Sequence, residues 1–449
     1  MQPSPQRPDA GAALRRELGF RDLALFALLG VSGTRGAALA AQTGFSSITL
    51  WAAAAVFFFI PSAFAIARLS ERFPDEGGLY VWTRQCFGEW HGFLCFWVYW
   101  LGIAFFFPSA LMASSSMAAY ALGPAYVHLA NERSYVFTAS IMALAIITAV
   151  NLIGLKFGKW LDNAGAVATY LVCAAMVVTA AVVWRHQGSA TPLHLAPKLR
   201  WSEATFFTQM VYALTGLELA PILGGEIKSP KTSLPRASLA VAPLAAAYYM
   251  LSTAALLVIL PASDVSPLNG IAQSAFAAGR LVGWSSIAPL TAALLTLGAV
   301  GQLAVIGAAT SRLPYALGVD GLLPPALSRL HPRWRTPHVS ILLFGALAAG
   351  FLALAQLGDT LGGAFQVLLD VMAIAGLGPF LYIFAAAWKC GARWSAASGL
   401  TVTAGAILMS LAPTADAGSI WLFESKVVGL AACLVISARI LYSRSRRTR

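Results

Sequence analysis

The chain has 449 residues, of which 58% are hydrophobic and only 11% charged. A soluble domain carries roughly 25% charged residues, so a chain of this length and composition could not cover a water-facing surface, and the composition argues against a large soluble helical protein. The net charge of +12 raises the question of nucleic acid, and the placement of the charges answers it.

Residues 1–20 hold Arg7, Arg15 and Arg16 and no apolar run, so no cleavable signal peptide is expected there. They read as a cytoplasmic N-terminal tail. A spanning helix needs about 20 mostly apolar residues. Twelve stretches qualify: 21–42, 47–69, 91–122, 135–154, 162–184, 204–224, 236–260, 285–312, 338–356, 364–387, 396–412 and 419–442. The expected fold class is therefore an all-α membrane protein of 12 transmembrane helices. With the N-terminus inside, 23 of the 30 Lys and Arg residues fall in inner segments, six in outer segments, and one, Arg35, within a helix. This is the positive-inside bias. It predicts a multi-pass protein of the cell (inner or plasma) membrane with both termini cytoplasmic, and it explains the basic charge with no nucleic-acid partner.

The connecting segments are too short for a soluble domain. The longest outer ones, 185–203 and 261–284, have room for surface helices. The inner link 313–337 holds Pro314, Pro324, Pro325, Pro332 and Pro337 and is expected to form short helices along the membrane. The basic tail 443–449 reads as an inner anchor touching anionic lipid. The five cysteines and six histidines are scattered, with no pairing pattern. No metal, cofactor or catalytic group is expected.

Two helices are unsuited to a plain anchor. The first carries Gly30-Val31-Ser32-Gly33-Thr34-Arg35-Gly36 at mid-span, and the sixth carries Leu214-Thr215-Gly216-Leu217-Glu218. Backbone is left open at membrane depth only where protein or a water-filled cavity satisfies it. A matched pair of such breaks points to an inverted repeat with a central binding site. The alternative is close helix packing through small residues. A break frees N–H groups, which suit a carboxylate, and C=O groups, which suit an ammonium. Substrate contact is accordingly assigned to Val31, Ser32, Gly33 and Thr34, and to Ala213, Leu214, Thr215 and Gly216.

At these residues the chain resembles the amino acid–polyamine–organocation (APC) superfamily, in particular its bacterial amino acid permeases. Three stretches carry the resemblance: Phe73-Pro74-Asp75-Glu76-Gly77-Gly78-Leu79-Tyr80-Val81-Trp82; Gly216-Leu217-Glu218 with Gly225-Glu226-Ile227-Lys228-Ser229-Pro230; and Ser311-Arg312 with Tyr315-Ala316 and Asp320-Gly321-Leu322-Leu323-Pro324. It implies the APC/LeuT-like fold, a 5+5 inverted repeat (21–184 and 204–387) plus two C-terminal helices in 396–442. It implies a secondary transporter of amino acids working by alternating access, coupled to protons or to exchange, with a small molecule, an amino acid or amine, as substrate. A polyamine transporter and a non-transporting sensor on the same fold are the alternatives. Tyr212 matches an aromatic gate, the other reading being an ordinary packed tyrosine. Glu218 matches a glutamate implicated in coupling or in closing the inner side; the other reading is a neutral acid bonded to backbone.

Arg35 departs from the family pattern. It lies 14 residues after Arg21, roughly 21 Å along a helix, too deep to reach the inner surface easily. Many family members carry a helix-5 lysine near helix 1, whereas this chain reads Ala168-Thr169-Tyr170 there. Arg35 is read as supplying that fixed charge, as binding the substrate carboxylate, or as half of a structural ion pair. Asp370 is a candidate partner for Arg35 or for a substrate amine, or a structural hydrogen-bonding group. Asp75 and Glu76 read as inner-loop acids with Arg72 and Arg84 as partners. An internal carboxylate in the pocket region would suit a cationic amine and Arg35 an anionic group, and these opposite cues leave a neutral amino acid as the default substrate.

Overall fold

The structure, a computed structural model, describes residues 14–197, 201–267, 269–283, 287–356, 361–410 and 420–447. The side chains of Thr34, Arg35 and Asp370, three of the residues singled out above, lie outside the described residues. The described chain is helical throughout, and the β-type pairing found in it is one bridge between Leu18 and Ile227.

In chain order the helices are α1 (Phe20–Val31), α2 (Thr34–Ala41), α3 (Ser46–Ala54), α4 (Ile60–Arg72), α5 (Leu79–Phe87), α6 (Glu89–Ala121), α7 (Arg133–Ile153) and α8 (Leu155–Gln187). There follow α9 (Trp201–Ala213), α10 (Leu219–Ile222), α11 (Pro230–Ile259), α12 (Gly270–Val282), α13 (Ile287–Val319), α14 (His338–Ala355), α15 (Leu361–Lys389), α16 (Arg393–Ser410) and α17 (Ile420–Arg447). Among the described residues eight helical segments are long and apolar enough to cross a membrane, α1–α2 and α3–α4 each counting as one, together with α6, α7, α8, α11, α13 and α14. Their outer surfaces carry bare Phe57, Phe64, Leu171, Val178, Leu290 and Leu342. Apolar exposure on this scale marks a surface built for contact with something other than water. The chain is a multi-pass membrane protein.

A wide π-turn at Ala55–Phe59 joins α3 to α4. The carbonyl of Phe57 accepts from Ser398 Oγ of α16 at 2.6 Å, and that of Phe58 from Ser62 Oγ at 2.7 Å. Hydroxyls thus take up backbone groups that the widened turn loosens.

Small residues bring the central helices together. A Cβ added to Gly165 of α8 would lie 3.2 Å from Gly301 Cα of α13. One added to Gly102 of α6 would lie 3.1 Å from the Ala375 backbone of α15. Such positions let backbones approach closely where lipid gives no hydrophobic drive for association. α13 therefore packs along both α8 and α6, and α11 along α1, α4 and α8.

Three loop expectations change. The inner link does not begin at 313, because α13 runs on through Pro314 to Val319. Leu313 and Leu317 on that extension are fully buried, and tertiary packing carries the helix past one missing N–H. The helical turn within the link is Pro325–Ser328. Of the two long outer segments, the second holds α12, while residues 188–197 of the first are not helical. α8 also starts seven residues before its expected inner end, at Leu155 after Gly154 (φ 98°), which brings Lys156 and Lys159 onto the helix and moves Asp162 from its end into its interior.

Candidate functional site

The helical path breaks between Val31 and Thr34, and again between Ala213 and Leu219. Ser32 (φ −80°, ψ 78°) and Gly33 (φ −91°, ψ 136°) are non-helical. Gly216 has φ +125°, a region essentially open to glycine alone. A Cβ there would lie 2.7 Å from the carbonyl oxygen of Gly30. The two breaks are therefore in direct contact.

Side chains from other helices bond the opened backbone. The Tyr249 hydroxyl of α11 accepts from Gly33 N–H at 3.0 Å. The same hydroxyl is 2.7 Å from the Val31 carbonyl and 2.9 Å from that of Ala213, and its one proton serves one of them at a time. It links both breaks. Its ring stacks on Trp51 at 4.5 Å between centroids, and Trp51 Nε1 donates to Thr253 at 3.1 Å. Gln302 of α13 donates to the Gly30 carbonyl at 3.3 Å. Ser32 shares a 2.8 Å hydrogen bond with the Tyr170 hydroxyl of α8.

Glu218 is 2% exposed. Its Oε2 accepts from Gly216 N–H at 2.7 Å and its Oε1 from the Tyr99 hydroxyl of α6 at 2.9 Å. Thr215 Oγ1 donates to the Tyr212 carbonyl at 2.7 Å, taking up one carbonyl at the end of α9. The Tyr212 ring fills the space left by Gly376 of α15, where an added Cβ would fall 2.1 Å from the ring.

These groups surround a cavity of ≈ 100 Å³. A water needs about 10–15 Å³ on the same measure, so the cavity admits a solute of several heavy atoms. One wall is Gly30, Val31, Gly33, Tyr212, Ala213, Thr215 and Gly216, and the floor holds Tyr99 and Glu218. The facing wall is apolar, with Ile103 and Phe106 of α6 and Ala299, Leu303 and Ile306 of α13. The cavity continues past Leu39 of α2, Met117 of α6 and Gln209 of α9. Of the expected contact residues, Ser32 and Leu214 are buried beside it. The backbone of Thr34 and Arg35 opens α2, and Asp370 lies on α15 six residues before Gly376.

Sequence patterns did not single out Tyr249, Gln302 and Tyr99 for this site, and Tyr170 stood out only as part of the triplet where family members carry a helix-5 lysine. The four come from α11, α13, α6 and α8, far along the chain from the breaks. The signal that could have found them is a polar group inside an apolar spanning run.

Below Glu218 several contacts tie the helix ends together. Arg84 of α5 pairs with Asp320 just after α13, and the Tyr80 hydroxyl donates to the same carboxylate at 2.7 Å. Burial, and then the Asp320 carboxylate, push the Tyr80 phenol well above its ordinary range, so it remains a donor. Arg84 thus reaches Asp320 in place of the expected inner-loop acids. Glu76 Oε2 accepts from Gly225 N–H at 2.6 Å. Glu17 and Leu18 N–H donate to the Glu226 carbonyl, and Lys228 N–H donates to that of Leu18 at 2.9 Å.

A helical membrane protein with a solute-sized cavity at two touching helix breaks has the form of a transporter. Residues 18–438 match the family described as amino acid permease, and the chain belongs to that family, within the APC superfamily. Its members are transporters, not enzymes. The chain is 26% identical over 411 residues to an uncharacterised transporter of Legionella pneumophila, covering 88% of this chain and 86% of that one. It is 28% identical over 365 residues to the serine/threonine exchanger SteT of Bacillus subtilis, covering 75% and 76%. It is 26% identical over 364 residues to cationic amino acid transporter 4 of Mus musculus, covering 75% of this chain and 55% of that one.

Proposed function

We infer that the protein is a secondary active transporter that moves a neutral amino acid by alternating access, with the substrate held where α1–α2 and α9–α10 break. The observation that carries this reading is the contact between the breaks at Gly30 and Gly216 beside a cavity of ≈ 100 Å³. The first turn of α2, from Gly33 and Thr34 onward, has N–H groups for the substrate carboxylate. Carbonyls at the ends of α1 and α9, around Val31 and Ala213, suit its ammonium, with Ser32, Leu214, Thr215 and Gly216 completing the enclosure. Tyr212 covers the apolar part of the substrate. Glu218, held by Tyr99, closes the floor.

The reading takes the chain as twelve spans, with 21–184 and 204–387 as inverted repeats and 396–442 as two added helices. It is supported by α9–α10, α15, α16 and α17, which occupy the four expected stretches beyond the eight long apolar segments. Tails 1–20 and 443–449 lie in the cytoplasm by the charge bias, in a cell (inner or plasma) membrane. In that orientation the cavity runs toward the outer face, past Leu39, Met117 and Gln209, and the ties below Glu218 hold the inner side shut. The exchanger named for serine and threonine favours small neutral substrates.

Arg35, second residue of α2, either supplies a fixed charge or binds the carboxylate. Asp370 is its proposed counter-charge. The test is uptake into liposomes by purified protein, after a thermal-shift screen of amino acids and polyamines. Stabilisation and uptake of neutral amino acids is the expected result. Stabilisation by polyamines alone, or by none of these solutes, would overturn the reading. Arg35→Ala is expected to lower uptake by about tenfold or more, the loss of one contact to a charged group of about 1.5–3 kcal/mol, and Arg35→Lys to restore part of it. Wild-type uptake in the alanine variant would remove both roles for Arg35.

A further inference from the structure

The inner half of the bundle holds a cluster of buried ionisable groups that the cavity does not use. Arg312 of α13 is 0% exposed. Its Nε donates to Glu226 Oε1 at 2.7 Å and its Nη2 to Oε2 at 3.4 Å. Its Nη1 donates to the Ala308 carbonyl at 3.1 Å and to Ser311 Oγ at 3.3 Å. Glu226 lies in the segment after α10, whose backbone also receives residues 17 and 18. One guanidinium therefore ties α13 to the strap across the inner face.

Asp162 of α8 is 3% exposed, and its Oδ1 has no hydrogen-bond partner among the described residues. The charge that acts on it is Arg312. Other charged groups on the elements packed against α8 are committed or turned to the surface. On α1, Asp22 binds Lys159 and Asn163, while Arg21 is exposed. On α11, Lys231 and Arg236 are exposed. On α12, Arg280 lies over the Phe276 ring. α7 has Arg133 at its opposite end, bonded to Gln356. On α8 itself, Lys156 is exposed.

We propose that Asp162 is a proton-binding site read out by the Arg312–Glu226 pair. Two buried carboxylates stand against one guanidinium, which of the two is bonded to Glu226 alone, so the buried cluster is one proton short of neutrality, and an uncompensated buried charge is costly. With the proton on Asp162, Arg312 gives its donors to Glu226 and the inner side stays tied. With the proton released to the inner solution, the buried Asp162 carboxylate is left without a donor among the described residues, and the charge acting on it is that of Arg312 on the helix packed along α8. The carboxylate draws the guanidinium away from Glu226 and loosens the strap. Glu218 is a poorer carrier, since both its oxygens are already bonded. The proposal rests on the transporter reading for its consequence, proton-linked opening, but not for its test.

The test is hydrogen–deuterium exchange of segment 222–230 in the purified full-length protein at pH 5.5 and pH 8, corrected for intrinsic exchange. The wild type is expected to lose protection severalfold at pH 8. Asp162→Asn is expected to hold the same protection at both values. A pH response in Asp162→Asn equal to the wild type's, no response in the wild type, or a response to sodium instead of pH would each overturn the proposal. Uptake in liposomes is the second arm. There the wild type is expected to respond severalfold to a pH gradient, and Asp162→Asn, whose inner side stays tied, to lose most uptake whatever the gradient. If no amino acid is taken up while exchange still follows pH through Asp162, the substrate reading fails and the proton site stands.

Discussion

Glu218 commits one carboxylate oxygen to the Tyr99 hydroxyl and the other to Gly216 N–H. It thereby joins α6 to the break after α9 at the bottom of the cavity. Glutamine at 218 keeps the shape but gives up the charge-assisted bonds and obliges the Tyr99 hydroxyl to turn from donor to acceptor, at a cost of about 1–3 kcal/mol. Uptake by Glu218→Gln is therefore expected to fall by about tenfold. Because the two groups act as one contact, Tyr99→Phe added to it is expected to cost little more. A double-mutant cycle in liposomes checks this, and additive losses would separate the two residues. On α5, burial first and then the neighbouring Cys390 thiol push Cys86 up to about 11 from a usual 9.0. The thiolate is the reactive form, so alkylation by N-ethylmaleimide at pH 7.5 is expected to be about a hundredfold slower than for an ordinary thiol. The rate should climb with pH toward about 11, as read by peptide mass spectrometry. A rate that is fast and flat with pH would contradict it.

At the scale of elements, both breaks lie where glycine and hydroxyl residues interrupt apolar runs, and that interruption was legible along the chain. A helix cannot hide such a defect, because the freed backbone groups must find partners. The partners themselves were not legible. Tyr249 reaches Gly33 from 216 residues away and Tyr170 reaches Ser32 from 138 away, so no local spacing announces them. Asp162 escaped notice for another reason. α8 extends seven residues beyond its apolar run, and an acid expected at the margin is instead packed inside. The glycines carry a prediction. Gly216→Ala puts a Cβ 2.7 Å from the Gly30 carbonyl at φ +125°, so it is expected to abolish uptake while the protein still inserts. Gly405→Ala on α16, where an added Cβ meets nothing within 4 Å, is expected to leave uptake intact and raise helix stability by about 0.5–1 kcal/mol. Uptake and thermal unfolding of the two variants side by side check the contrast.

Across the whole molecule, the composition alone gave a helical membrane protein, since burial in lipid is the one way to accommodate so few charges. What it did not give is how the end of the bundle below Glu218 is held. That hold is distributed over Arg84 with Asp320, Arg312 with Glu226, and the bridge between Leu18 and Ile227. Each joins elements remote in the chain. If alternating access operates, all three must part when the inner side opens, and blocking any one of them should stop transport. The bridge offers the cleanest block. Paired strands lie about 4.7–4.9 Å apart, within the reach of a disulfide. In a background with the five native cysteines replaced, Leu18→Cys with Ile227→Cys is expected to transport when reduced. It is expected to lose most uptake when oxidised and to recover with reductant, while either single cysteine is indifferent to oxidant. Full uptake by the oxidised, cross-linked protein would mean that the segment before α1 travels with the segment after α10, and the inner opening would have to form elsewhere.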